Sequence, residues 1–191
     1  MNAEKMRSNI AGVSELSLKY IGLTGEDIER LHSMAEKVLS KKDEIISGVM
    51  SSLTSDPDAV EVIRKTGLEA ERAIKLFELW LTKVFKDQYD EKHALSVFRI
   101  GLAHVKSGVD ERLMINNMGA FTREILKHIN NVEDALVVSK ALFWNLSMMI
   151  YSYEYIKNLV IEEAIGTSEE LMKRLISLFS ERVYKELLEL L

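Results

Sequence analysis

Cysteine is absent from the 191 residues, which excludes disulfides, thiolate metal sites and cysteine nucleophiles and is compatible with a reducing compartment. Proline occurs once and glycine nine times. With breakers so scarce and Leu, Glu, Lys, Ala and Met abundant, helix is favoured over sheet along nearly the whole chain, and the expected fold class is all-α. Charge of one sign is never concentrated. The formal charge of -5 comes from interleaved acids and bases, which leaves no footprint for a nucleic-acid backbone or an anionic membrane. A long hydrophobic run is also missing. The greasiest segment, Ala141 to Ile150, is interrupted by Asn145 and Ser147 and falls short of the roughly 20 residues that span a bilayer. Met1 to Leu16 lacks the apolar core of a secretion signal, so the expected location is cytoplasmic, with no membrane and no nucleic acid among the partners. No glycine-rich phosphate loop, Gly-x-Ser-x-Gly elbow or histidine-rich metal motif is present, so the chain is expected to bind rather than to catalyse.

What is present is apolar periodicity. Hydrophobic residues make up 47% of the chain, enough for one sizeable core. Thr24 and Asp27 form a capping-box pattern that predicts a helix start. Ile28, Leu31, Ala35 and Val38 follow at helical spacing, and Ile45, Val49 and Leu53 resume after the Lys41-Lys42-Asp43-Glu44 run, predicting two helices that meet at a corner. Upstream, Leu16 to Tyr20 reads as a short leading helix stopped by Gly22. Asp56-Pro57 predicts a capped start of one long helix, because Val60, Ile63, Gly67, Ala70, Ile74, Phe77, Leu81 and Val84 recur at alternating threes and fours. Gly67 and Ala70 in that seam predict a close approach by a helix or a flat ligand. Further helices are expected after Asp87-Gln88-Tyr89-Asp90, from Asp110 to about Asn130, from about Val132 to Ile165, and from a Ser168 cap, the last with Leu171, Leu175, Leu178 and Val183 as its apolar face. The expected division is residues 1–166 as one domain and 167–191 as a helical extension.

His93, Val97, Ile100 and His104 fall on one stripe of their helix. A histidine on an apolar face has to be hydrogen-bonded or metal-bound, since an unsatisfied imidazole in a core is costly. Ile100 and Gly101 lie one turn before His104, so its ring would project into a space bounded by an aliphatic group and a missing side chain, wide enough for a porphyrin. A core histidine donating to a backbone carbonyl is the competing reading. Two other histidine patterns are weaker. Glu29-Arg30-Leu31-His32 is half of a di-metal bundle signature, with Asp90-Glu91-Lys92-His93 a near miss, and His128 lies one turn after Glu124, as an ion pair would. Trp144, Tyr151, Tyr153 and Tyr155 share one long helix and read as core or interface.

Trp80-Leu81-Thr82-Lys83-Val84-Phe85-Lys86-Asp87-Gln88-Tyr89-Asp90 followed by Phe98-Arg99-Ile100-Gly101-Leu102-Ala103-His104-Val105-Lys106-Ser107-Gly108 resembles the protoglobin and globin-coupled sensor branch of the globins. The shared pattern is a tryptophan-bearing helix, an aspartate-centred turn, then Arg-Ile-Gly-x-x-His. Similarity is best from about Leu53 to Phe121. The resemblance implies a globin-like fold of sensor type, with a leading helix and here an extra C-terminal helix. It implies haem b as cofactor with His104 as the iron ligand, and a diatomic gas (oxygen, carbon monoxide or nitric oxide) as the bound partner. It further implies a homodimer through the helices at about Val109 to Asn130 and Val132 to Ile165, and either a stand-alone gas binder or a sensor with a separate signalling partner.

The chain departs from this family on the gas-binding side. Aligned on Asp43-Glu44-Ile45, the position where these sensors usually carry a hydrogen-bonding tyrosine is Met50, preceded by Val49. Phe77 matches the bulky distal residue, and Ala73 falls where many globins place a histidine. The expected distal lining is therefore apolar: Met50, Val49, Ala73 and Phe77. Because oxygen on ferrous haem carries negative charge, losing the donor is expected to weaken it selectively by about 1–3 kcal/mol. A haem-free globin-like stress-signalling or interaction module is the alternative that this departure keeps open, with the di-metal bundle as a third.

Overall fold

The computed structural model describes residues 3–188. Among them the regular structure is entirely helical: α1 (Ala3–Ile21), α2 (Gly25–Leu39), α3 (Lys42–Ser55), α4 (Pro57–Thr66), α5 (Ala70–Lys86), α6 (Glu91–Lys106), α7 (Glu111–Leu126), α8 (Val132–Val160), a π-helical turn (Ile161–Ile165) and α9 (Glu169–Leu188). The starts are set by side-chain caps, which satisfy backbone N–H groups that the helix itself leaves open. Thr24 and Asp27 exchange both bonds of a capping box, Asp56 accepts from the Asp58 and Ala59 amides ahead of Pro57, Asp90 accepts from His93 N at 2.9 Å, and Asp110 from Leu113 N at 2.7 Å.

Two expectations from periodicity are corrected. The leading helix that contains Leu16 to Tyr20 and ends before Gly22 is not short: α1 is 19 residues long and buries Ile10 and Ser14. The single long helix after Pro57 is two helices, because Gly67 takes the left-handed conformation (φ 63°) and its N–H caps Ile63. Glycine adopts that conformation without the steric cost an L side chain meets. Gly67 therefore serves as a helix stop, and nothing lies within 4 Å of where its Cβ would stand. The supposed seam splits with it: Leu81 and Val84 are fully buried, while Val60 and Ile74 are 44% and 39% exposed.

The chain forms two compact units that divide inside α8, one ending at Tyr153 and the second beginning at Glu154, ahead of Gly166. In the first, α3 packs on α7, α4 and α5, α2 on α5, and α1 on α6. The first unit also contains the most buried part of α8, where Val138, Ala141, Trp144 and Met148 have no accessible surface. The Trp144 indole N–H donates to Ser14 O at 3.4 Å, and the Ser17 and Ser147 hydroxyls meet at 3.4 Å, which ties α1 to α8. The helical stretch Val132–Ile165 is long and apolar enough to cross a bilayer by length and composition, yet half of its most apolar window is buried inside the protein. Asn145 within it accepts from the Trp80 indole N–H at 3.2 Å and donates to Ala141 O at 2.9 Å, the bonding of a core helix. In the second unit, Ser168 caps α9 by accepting from Leu171 N at 3.2 Å. The apolar face of α9 is open, with Leu171 and Leu178 49% and 64% exposed.

Candidate functional site

The chain has four histidines; two of them, His93 at Nε2 and His104 at Nδ1, bury a ring nitrogen without a partner, and only His104 has no side-chain partner at its other nitrogen among the described residues. His32 Nε2 meets Asp87 O at 3.1 Å, which removes it from the di-metal pattern. Glu29 beside it is exposed, and no cluster of three metal-ligating side chains exists among the described residues. His128 Nε2 lies 3.9 Å from Glu44 Oε1 on α3. Its expected partner Glu124 is instead held by Arg123 Nε at 2.8 Å and Lys127 Nζ at 2.5 Å, because the α7 face carrying Glu124 turns inward against α3. His93 is 2% exposed, and its Nδ1 sits 2.8 Å from Asp87 Oδ2.

The imidazole of His104, in the last turn of α6, makes no hydrogen bond or ion pair among the described residues. Its Nδ1 is buried without a partner, and the residue as a whole is half-buried. Burial alone holds its pKa below the ordinary imidazole value, so the ring is neutral at pH 7 and keeps a free lone pair, the form that ligates a metal. A buried, unsatisfied polar atom costs about 1–3 kcal/mol. The competing reading, donation to a carbonyl, is not what the ring does.

Around His104 the geometry differs from expectation at one residue. Gly101 does not leave a space beside the imidazole; its missing side chain is taken up by α8. A Cβ there would lie 1.9 Å from Ser152 Oγ and 2.7 Å from Met149 O. Gly101 is thus a close helix crossing that seats α6 on α8. Phe98 on Tyr151 (ring centroids 5.7 Å) and the Tyr153 hydroxyl donating to Val109 O at 3.0 Å complete the seat on either side. Ile100 is half-buried.

The residues read as distal lie on α3 and α5, two helices that pack together. Val49 has no accessible surface and Ala73 is 3% exposed, while Met50 and Phe77 are half-buried. Phe77 stands edge-on to Phe121 of α7 at 5.1 Å, and Phe121 also meets Trp80 at 4.7 Å. Apart from the weakly accepting Met50 sulfur, none of the four side chains carries a hydrogen-bonding atom.

Sequence reasoning missed the polar cluster at the opposite end of α6. His93 stacks on Trp144 (5.2 Å, 18° between planes) and meets Tyr89 at a tilt (4.6 Å, 47°). Tyr89 holds the α5–α6 corner with a positive φ of 56° and a hydroxyl that donates to Val84 O at 2.8 Å. Burial pushes the Tyr89 pKa up and that of His93 down, with Asp87 opposing the latter. The available signal was Asn145, a polar residue inside an apolar run.

Residues 14–158 match the protoglobin family. The chain belongs to the protoglobin family. The matched segment contains every residue of the candidate site and runs from within α1 almost to the end of α8. This protoglobin is similar in structure to the globin domain of the Geobacter sulfurreducens globin-coupled sensor, with a TM-score of 0.66 and 21% identity over 73% of this chain and 96% of that one. At that identity the likeness speaks for the fold, which is all-α and globin-like. No curated protein matches the chain.

Proposed function

We propose that this protoglobin binds haem b through His104 and acts as a gas-binding or gas-sensing globin. The observation that carries the reading is the partnerless imidazole of His104, which lies inside the segment that matches the family. Haem, when bound, would supply an iron centre for a diatomic gas; His104 would hold it, and the residues on the gas side would set which gas is favoured. Met50, Val49, Ala73 and Phe77 offer bound oxygen no hydrogen-bond donor, so carbon monoxide or nitric oxide is favoured over stable oxygen storage. The role is binding rather than turnover, in the cytoplasm.

A homodimer through α7 and α8 belongs to the same reading. Val132, Leu136, Phe143 and Ile150 are 84%, 56%, 63% and 36% exposed and, at spacings of four and seven, form one apolar stripe on α8. Ile115 on α7 is 43% exposed. Stripes of this kind are buried by a partner helix. With α9 as an appended amphipathic helix, a separate signalling partner is the expected recipient of the gas signal.

Purification followed by haem reconstitution tests the function. A Soret band that survives desalting and disappears in His104→Ala supports it. A wild-type chain that holds no haem moves the function to a haem-free globin-like signalling module, which the absence of a distal donor favours.

A further inference from the structure

The α3–α7 crossing carries a device that none of the functional residues explains. On α3, Glu44, Gly48 and Ser52 recur every four residues and form one stripe. Each meets a polar side chain of α7 or of the turn that follows it: His128 of that turn near Glu44 at 3.9 Å, Arg123 Nη2 donating to Ser52 Oγ at 2.8 Å, and between them Glu124 in the notch at Gly48. A Cβ on Gly48 would lie 2.5 Å from Glu124 Cδ, 2.6 Å from Oε2 and 2.9 Å from Cγ. Glu124 is 5% exposed and clamped by Arg123 of its own helix and by Lys127 at that helix's C-terminal cap. A carboxylate fixed by two cations of its own segment is a rigid knob, so a shift of α3 would drive the backbone beside Gly48 into it and break the bond from Arg123 to Ser52. Val49, adjacent to the notch, and Met50 beyond it are the α3 residues assigned to the gas site.

We propose that Glu124, through its fit into the Gly48 notch, is a positioning residue that sets the register of α3 on α7 and so places Val49 and Met50 at the gas site. The consequence for gas binding rests on the haem reading above; the register itself does not.

The test is a double-mutant cycle in the full chain with Gly48→Ala, Glu124→Ala and the pair. Gly48→Ala alone fills the notch, so that either the Glu124 carboxylate leaves its clamp or α3 shifts, and under the proposal it is α3 that gives. Its α3 amides are expected to exchange hydrogen about tenfold faster, the factor given by losing one ordinary hydrogen bond's worth of local stability, while α6 amides are unchanged. In the ferrous haem protein, the carbon monoxide association rate shifts in the same variant. The pair, in which a methyl on α3 replaces the bulk removed from α7, restores both readouts most of the way to wild type. Glu124→Gln, which keeps the shape and loses the charge clamp, lies between. Effects of the two single changes that simply add, exchange that rises evenly through all helices, or carbon monoxide rates identical in every variant overturn the proposal. A chain that retains no haem overturns the gas-binding reading, and the exchange cycle then decides the register by itself.

Discussion

Replacing Gly101 by alanine tests the seating of α6 on α8. The new methyl would stand 1.9 Å from Ser152 Oγ, 2.7 Å from Met149 O and 3.1 Å from Met149 Cα. Only the first of these is a side-chain atom. Ser152 is fully buried, and its hydroxyl already donates to Met149 O at 2.6 Å, so turning it away sacrifices a bond worth about 0.5–1.5 kcal/mol. The other two atoms are backbone, and they move only if α8 moves. Overpacking of this kind costs about 1–3 kcal/mol, at the upper end when backbone has to give, while glycine to alanine inside a helix returns about 1 kcal/mol. The net expectation is a loss of about 2 kcal/mol, or roughly 4–8 °C in melting temperature for a chain of this size. Thermal and urea unfolding of the haem-free protein measures it. Gly12→Ala provides the control: Gly12 lies in α1 with nothing within 4 Å of its absent Cβ, so it is expected to gain about 0.5–1 kcal/mol. Ser152→Ala added to Gly101→Ala removes one of the three collisions and is expected to recover less than half of the loss. A Gly101→Ala protein as stable as Gly12→Ala would refute the crossing and return Gly101 to the space beside His104.

Met50→Tyr, which installs a donor on the gas-binding side, is expected to strengthen oxygen relative to carbon monoxide by about 1–3 kcal/mol, roughly 5- to 150-fold in the affinity ratio; an unchanged ratio removes Met50 from the site. Asn145→Ala strands the Trp80 indole N–H in the core and is expected to cost about 1–3 kcal/mol in urea unfolding, against less than 1 kcal/mol for an exposed substitution such as Arg174→Ala. Burial holds His93 and His104 of the haem-free chain below the ordinary value of 6.5, with Asp87 and Asp90 opposing and Lys83 reinforcing the shift at His93. The unfolded chain therefore binds protons that the native one refuses. Stability is complete above pH 6.5 and falls as the pH drops toward the native values. A urea midpoint series from neutral to mildly acid pH reads this slope, and His93→Gln is expected to flatten it. Gly67→Ala forces a Cβ into a φ of 63° and is expected to cost about 1–2 kcal/mol, with the loss absent if α4 and α5 were continuous.

The helix caps were decided locally, and so were readable in the sequence: a Thr24 hydroxyl or an Asp56 carboxylate acts on amides two or three residues away, whatever the rest of the chain does. The globin-like class was equally legible, because Arg-Ile-Gly-x-x-His is contiguous. What each helix face touches was not. Gly67 and Gly101 look alike in an apolar pattern, yet one ends a helix with a positive φ and the other admits Ser152 from a helix some fifty residues later. Glu124 and His128 are spaced as partners, but tertiary packing turns Glu124 into the Gly48 notch and pairs His128 with Glu44. Periodicity reports that a face is apolar; only the assembled helices determine which neighbour that face meets, because burial and hydrogen-bond satisfaction are settled jointly by residues far apart in the chain.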